Sequence, residues 1–237
     1  MNSPRGMRAW SFVRLLGSAL ILAAVVHQLI ITVTNALEAT TPHGSHLPTV
    51  LANFASFFTI ESNLTAVVAL LLAGLWGLRA AEGEREPRGL AILLACASTY
   101  MITTGIVYNI LLRGIELPQG ATVAWANEMM HLVGPLLLLA DVLVAPGRGP
   151  LRKRTVAVIA AFPVLWAVYT LVRGPLVTSP ATGLPYWYPY PFLNPNQPGG
   201  YPLVAAYIVG IAIVVLAIGA GVVWISRRRS RNRASVR

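Results

Sequence analysis

The sequence predicts an all-α polytopic membrane protein, one domain over 1–237 built as a bundle of six transmembrane helices with both termini cytoplasmic. Three observations carry that prediction. Of the 237 residues, 56% are hydrophobic and 11% charged, against about 25% charged in soluble domains. Six segments each hold the roughly 20 mainly apolar residues that cross a bilayer as a helix. Basic residues gather on one side of those segments, as cytoplasmic loops require.

The segments run at about 9–36, 50–78, 89–113, 122–145, 153–173 and 201–226. Helix-ending punctuation separates them: TPHGSHLP, EGEREPRG, ELPQG, APGRGPLRKR and a Pro-rich stretch from 174 to 200. The first apolar run is longer than a secretory leader's and no clear small-residue cleavage site follows, so it is read as a helix. The N-terminal stretch, the second and fourth loops and the tail at 227–237 hold 16 of the 18 basic residues, leaving Arg113 and Arg173 on the other side. The net charge of +10 is this sidedness. RRRSRNR therefore reads as a cytoplasmic tail beside anionic lipid in the cell membrane, with no nucleic acid as partner. The single cysteine, Cys96, lies inside the third segment and excludes an internal disulfide or a cysteine metal site. His43 and His46 are too sparse for a metal site, and no cofactor is expected.

Within the second segment stands FFTIESN, residues 57–63. Counting inward from the segment's outer end places Thr59 roughly 14 Å deep at 1.5 Å per residue, and the same count puts His131 and His27 at a similar level. Thr59, Ser62, Asn63 and Ala66 share one helical face. WANEMMH in the fourth segment presents Asn127, Glu128 and His131 together, and the third adds Tyr100, Thr104 and Tyr108 at four-residue spacing, with Asn109 beside them. Such a layer lines a cavity. Hydroxyls and amides in membrane helices commonly hold neighbouring helices together, whereas ionisable groups there are site candidates by default. His131 leads, with His27, Ser62 and Thr104 as pocket-lining candidates. Glu61 points to another side of its helix, and Asp141, near the cytoplasmic end, needs no special role.

FFTIESN, WxNxxxH followed by PLLLLAD, and YPYPFLN with GYP before the last segment together resemble the bacterial six-helix relatives of the androgen-induced membrane protein family. The animal members are intramembrane hydrolases of fatty-acid esters of hydroxy fatty acids, with a threonine nucleophile and a histidine partner. The resemblance implies those roles for Thr59 and His131 and a lipid-like ester as substrate. Where animal members tend to carry a second histidine in the helix-four motif, this chain has Glu128.

The chemistry is consistent with that implication. A threonine hydroxyl attacks only when a base takes its proton, which a neutral imidazole within about 2.6–3.2 Å does. Asn127 or Glu128 could orient that imidazole, and Asn63 and Tyr108 are the candidate donors to an oxyanion. Two other functions are open at this point. The same layer could hold a small polar solute for binding or transport, or His27 and His131 could be the axial ligands of a b-type haem. The run YWYPYPF reads equally as an interfacial anchor or as a lid.

Overall fold

The computed structural model describes residues 4–81, 83–115 and 122–234, and among these it contains helices and no strand. In chain order they are α1 (Pro4–Glu38), α2 (Leu47–Ala55), α3 (Phe58–Arg79), α4 (Arg88–Val107), α5 (Ala124–Glu128), α6 (Gly134–Val144), α7 (Thr155–Arg173) and α8 (Gly200–Ala234). A π-helical turn, Tyr108–Leu112, extends α4, and a second, Met129–Val133, joins α5 to α6. Six helical stretches are long and apolar enough to cross a membrane: Arg5–Glu38, Phe58–Arg79, Arg88–Leu112, Ala124–Val144, Thr155–Leu176 and Gly200–Ser230. They correspond to the six expected segments. The ELPQG segment and the last three residues of the basic tail lie outside the described residues.

The second segment departs from expectation. It is two helices, α2 and α3, broken at Ser56 and Phe57, so Thr59 stands in the first turn of α3 and not well inside a continuous helix.

α4 is central, packing against α3, α6, α7 and α8, while α1 lies along α3. Small residues set that last approach: a Cβ on Gly77 would collide with the Ser11 hydroxyl of α1, and Ala66, Ala69 and Ala73 are fully buried beside it. Between helices in lipid, close van der Waals packing replaces the hydrophobic drive. α7 carries Pro163 in its interior, which removes the N–H that would bond the Ile159 carbonyl. The Tyr100 hydroxyl of α4 donates to that carbonyl at 2.9 Å and ties the two helices.

At the basic end lies a clasp of buried charge. Asp141 of α6, 0% exposed, accepts from Arg14 Nε of α1 at 2.7 Å, from Trp10 Nε1 at 2.6 Å and from Arg148 Nε at 3.1 Å. Arg14 also donates to Glu86 Oε1 at 2.7 Å, and Arg148 to the Ser98 hydroxyl of α4 at 3.3 Å. Asp141 thus has the special role that its apparent interfacial position did not announce. Two arginines and two carboxylates cancel, and their many hydrogen bonds offset desolvation that a bare pair could not.

Removing one member leaves the others buried and uncompensated. Asp141→Ala is expected to destabilise the fold by about 3–5 kcal/mol, seen as a large drop in apparent Tm in detergent. Glu128→Gln, which opens only the exposed pair with Arg113, should leave Tm nearly unchanged. Similar melting of both variants would refute the clasp.

Candidate active site

The break between α2 and α3 is built by specific side chains. The Ser56 hydroxyl folds back onto Ala52 O at 2.6 Å and meets the Tyr169 hydroxyl of α7 at 2.8 Å, while Trp166 Nε1 donates to Ser56 O at 3.0 Å. Phe57 is then extended (φ −71°, ψ 124°), its ring edge-on to Trp187 and Tyr190. The Phe57 carbonyl takes the N–H groups of Ile60 and Glu61, which leaves the Thr59 N–H pointing out of the new helix start. It donates to the Tyr190 hydroxyl at 3.1 Å.

Tyr190 sits in the 174–200 loop, at the start of the short 3₁₀ turn Pro191–Leu193, and is buried. Burial pushes its pKa up to about 12 although hydrogen bonds with Thr59 pull the other way, so it is a neutral hydroxyl at ordinary pH.

On the opposite wall, His131 occupies the middle of the Met129–Val133 π turn. Its Nε2 lies 3.2 Å from Thr59 Oγ1, and its Nδ1 lies 3.0 Å from the Asn127 carbonyl. A carbonyl only accepts, so Nδ1 carries the proton and Nε2 is the acceptor. That choice orders the whole chain of hydrogen bonds. Thr59 N–H donates to Tyr190; the Tyr190 hydroxyl, 3.1 Å from Thr59 Oγ1, donates to it; and Thr59 Oγ–H donates to His131 Nε2.

The π turns fix the histidine's height. Wider turns shift the backbone out of its usual register, and here side chains take up the carbonyls: Asn109 Nδ2 donates to His131 O at 3.1 Å and to Gly105 O at 2.7 Å. A Cβ on Gly105 would come within 2.9 Å of Pro135 and 3.2 Å of His131 O, so glycine permits this approach of α4 to the histidine. The Tyr108 ring stacks on the imidazole with centroids 3.8 Å apart, and the Arg113 guanidinium lies 5.4 Å from the centre of that tyrosine ring.

Thr59 and His131 are therefore brought together, as are Tyr108 and Asn127, whose amide donates to the Tyr108 hydroxyl at 2.6 Å. Other expectations need correction. Glu128 is turned outward to Arg113 at 2.9 and 3.0 Å, so the backbone carbonyl of Asn127 orients His131, not a carboxylate and not the Asn127 side chain. Asn63 is committed to the carbonyls of Thr59 (2.8 Å) and Met130 (3.4 Å) and is no oxyanion donor. Ser62 bridges the Thr59 carbonyl and the Thr104 hydroxyl, a packing role. His27 accepts from Trp125 Nε1 at 3.0 Å and lines neither cavity described below. Both ring nitrogens of His131 are engaged, with Thr59 and Asn127, and His27 is engaged by Trp125. Tyr190 was missed as a site residue. The only signal for it was its place in YWYPYPF, which does not say where the loop folds.

Two cavities meet at Thr59, Tyr108, Leu112 and Tyr190. The first, about 160 Å³, is an apolar cleft running down between α4, α7 and α8 past Pro163, Ala167, Ile211 and Val215; rim residues such as Val164 and Leu216 face outward. The second, about 430 Å³, is a vestibule beneath the loops, with Gln28, Thr32, Asn35, Asn53 and Asn127 in its wall. His131 lines the vestibule and not the cleft. Among the described residues, no cluster of His, Cys, Asp and Glu could hold a metal ion.

No protein-family model, curated protein or solved structure matches the chain.

The ordered chain of donors predicts one tautomer for His131. Nitrogen-15 NMR of ring-labelled protein in detergent should show a protonated Nδ1 and a bare Nε2. The opposite tautomer would break the assignment.

Proposed function

We propose that the chain is an intramembrane ester hydrolase with Thr59 as nucleophile and His131 as general base, acting on a lipid or lipid-like ester. The observation that carries this reading is the 3.2 Å contact from Thr59 Oγ1 to an acceptor nitrogen of His131, where an apolar cleft joins a vestibule that has amides and hydroxyls in its wall. The resemblance of FFTIESN and WxNxxxH to the androgen-induced membrane protein family supports it at the level of short motifs. By the positive-inside rule the clasp end is cytoplasmic and the site lies toward the outer face of the cell membrane.

The reaction proceeds in two halves. Thr59 Oγ attacks the ester carbonyl carbon as its proton passes to His131 Nε2, and the carbonyl π electrons move onto oxygen. The Tyr190 hydroxyl is released from Thr59 Oγ as that oxygen bonds to carbon, and it is placed to donate to the oxyanion. Its own oxygen keeps the Thr59 N–H, a helix-start donor that makes the tyrosine a stronger one. Tyr108, lining both cavities, is the second available hydroxyl. Collapse breaks the bond to the alcohol oxygen, which takes the proton from His131 and leaves an acyl-threonine. Water then attacks that ester with His131 again as base, freeing the carboxylic acid and restoring Thr59 Oγ–H.

Three measurements test this. Thr59→Ala and His131→Ala should each abolish both fluorophosphonate labelling and hydrolysis of an acyl-ester panel in detergent; equal labelling and turnover in wild type and Thr59→Ala would refute the reading. Tyr190→Phe should lower kcat by about 10²-fold, the usual effect of losing one oxyanion donor, with KM little changed. Because the Tyr190 pKa lies near 12, the hydroxyl stays protonated as pH rises, and kcat/KM should show no falling limb from loss of this donor below pH 10. A fall there that disappears in Tyr190→Phe would contradict its role.

A further inference from the structure

The geometry points to a substrate in two dissimilar halves: a single fatty acyl chain in the cleft, esterified to a small, uncharged, hydroxylated alcohol in the vestibule. This assignment rests on the hydrolase reading and adds the direction in which the ester lies. Thr59 and Tyr190 line both cavities, so the carbonyl carbon sits at the junction. The leaving alcohol oxygen must receive its proton from His131 Nε2, and His131 lines the vestibule alone. The alcohol half therefore lies on that side, and the acyl half extends the other way.

Each cavity suits the half it is given. The cleft's wall is almost wholly aliphatic and aromatic, from Phe58 and Trp166 to Ile211 and Val215. It runs along α8 from Ile208 to Leu216, about 12 Å at 1.5 Å per residue. Val164, Ala212 and Leu216 on its rim are exposed on the surface that lipid would cover, so a chain enters sideways without crossing water. The vestibule's wall is mixed: beside apolar groups such as Val50, Phe54 and Ile60 it exposes amides and hydroxyls, of which the cleft exposes almost none, and no charged side chain lines it among the described residues. Arg173, next to it, is held by Asn53 Oδ1 at 2.8 Å and lies over the Trp187 ring. Neutral hydroxyls find partners in such a wall, whereas a desolvated ionic headgroup finds no opposite charge. The same chamber supplies the water that attacks the acyl-threonine once the alcohol has gone.

The test uses full-length protein in detergent and compares kcat/KM for three palmitoyl esters: monopalmitoylglycerol, palmitoyl lysophosphatidylcholine and cetyl palmitate. Monopalmitoylglycerol should be preferred by at least about tenfold over each, the effect of one buried polar partner left unmatched. Asn35→Leu should narrow that ratio. Across acetyl, octanoyl and palmitoyl glycerol the wild type should favour the long chains, and Ala212→Trp, which fills the cleft, should reverse the order. Val164→Trp on the facing rim is the second variant if the first does not fold. Thr59-dependent hydrolysis that is equal for the three palmitoyl esters, or a chain-length order unmoved by both tryptophans, overturns the assignment and leaves the hydrolase standing. No Thr59-dependent hydrolysis of any ester overturns both.

Discussion

The site depends on a broken helix whose loose backbone groups must be satisfied out of water. Between Ala55 and Phe58 the regular hydrogen-bond ladder stops, and a buried amide or carbonyl without a partner costs free energy comparable to a lost hydrogen bond. The fold answers with side chains: Trp166 for the Ser56 carbonyl and Tyr190 for the Thr59 amide. Because the second partner is a hydroxyl, which both accepts and donates, satisfying the backbone also places a donor beside Thr59 Oγ1. A continuous helix would have closed that N–H inside its own ladder.

The same logic governs the other wall. π turns are uncommon, yet one contains the histidine and a second, carrying Asn109, faces it and is joined to it through that side chain. A plain α-helix from 124 to 144 would rotate everything past Met129 by a different amount and direct the imidazole elsewhere. The close approach at Gly105 then locks α4 to this distorted stretch. Precise placement of the His131 imidazole is thus produced by local irregularity, held by a few side-chain hydrogen bonds to backbone carbonyls.

At the far end the Arg14–Asp141–Arg148–Glu86 clasp fixes α1, α4 and α6 without touching the site. Charge is concentrated there, and among the described residues no charged side chain lines either cavity, so the two ends use opposite electrostatics. Paired ions hold the frame, and hydroxyls, amides and one imidazole surround Thr59.

By itself the sequence determined the all-α class, the six long apolar helices and the residue types that could react, because bilayer thickness and the cost of intramembrane polarity leave few alternatives. It made His131 conspicuous as an ionisable group on an apolar helix, whereas Thr59, one of many hydroxyls that could simply pack, stood out only through the motif FFTIESN. Tertiary structure decided the rest. Helical periodicity cannot register a break such as Ser56–Phe57, because both halves remain apolar and the cause lies in Trp166 and Tyr169 over a hundred positions away. Spacing put Glu128 on the face of His131, yet Arg113 drew it outward, and the turn of the helix supplied a carbonyl in its place. Tyr190 and Asp141 were hidden for one reason: each takes its meaning from partners that only folding brings near.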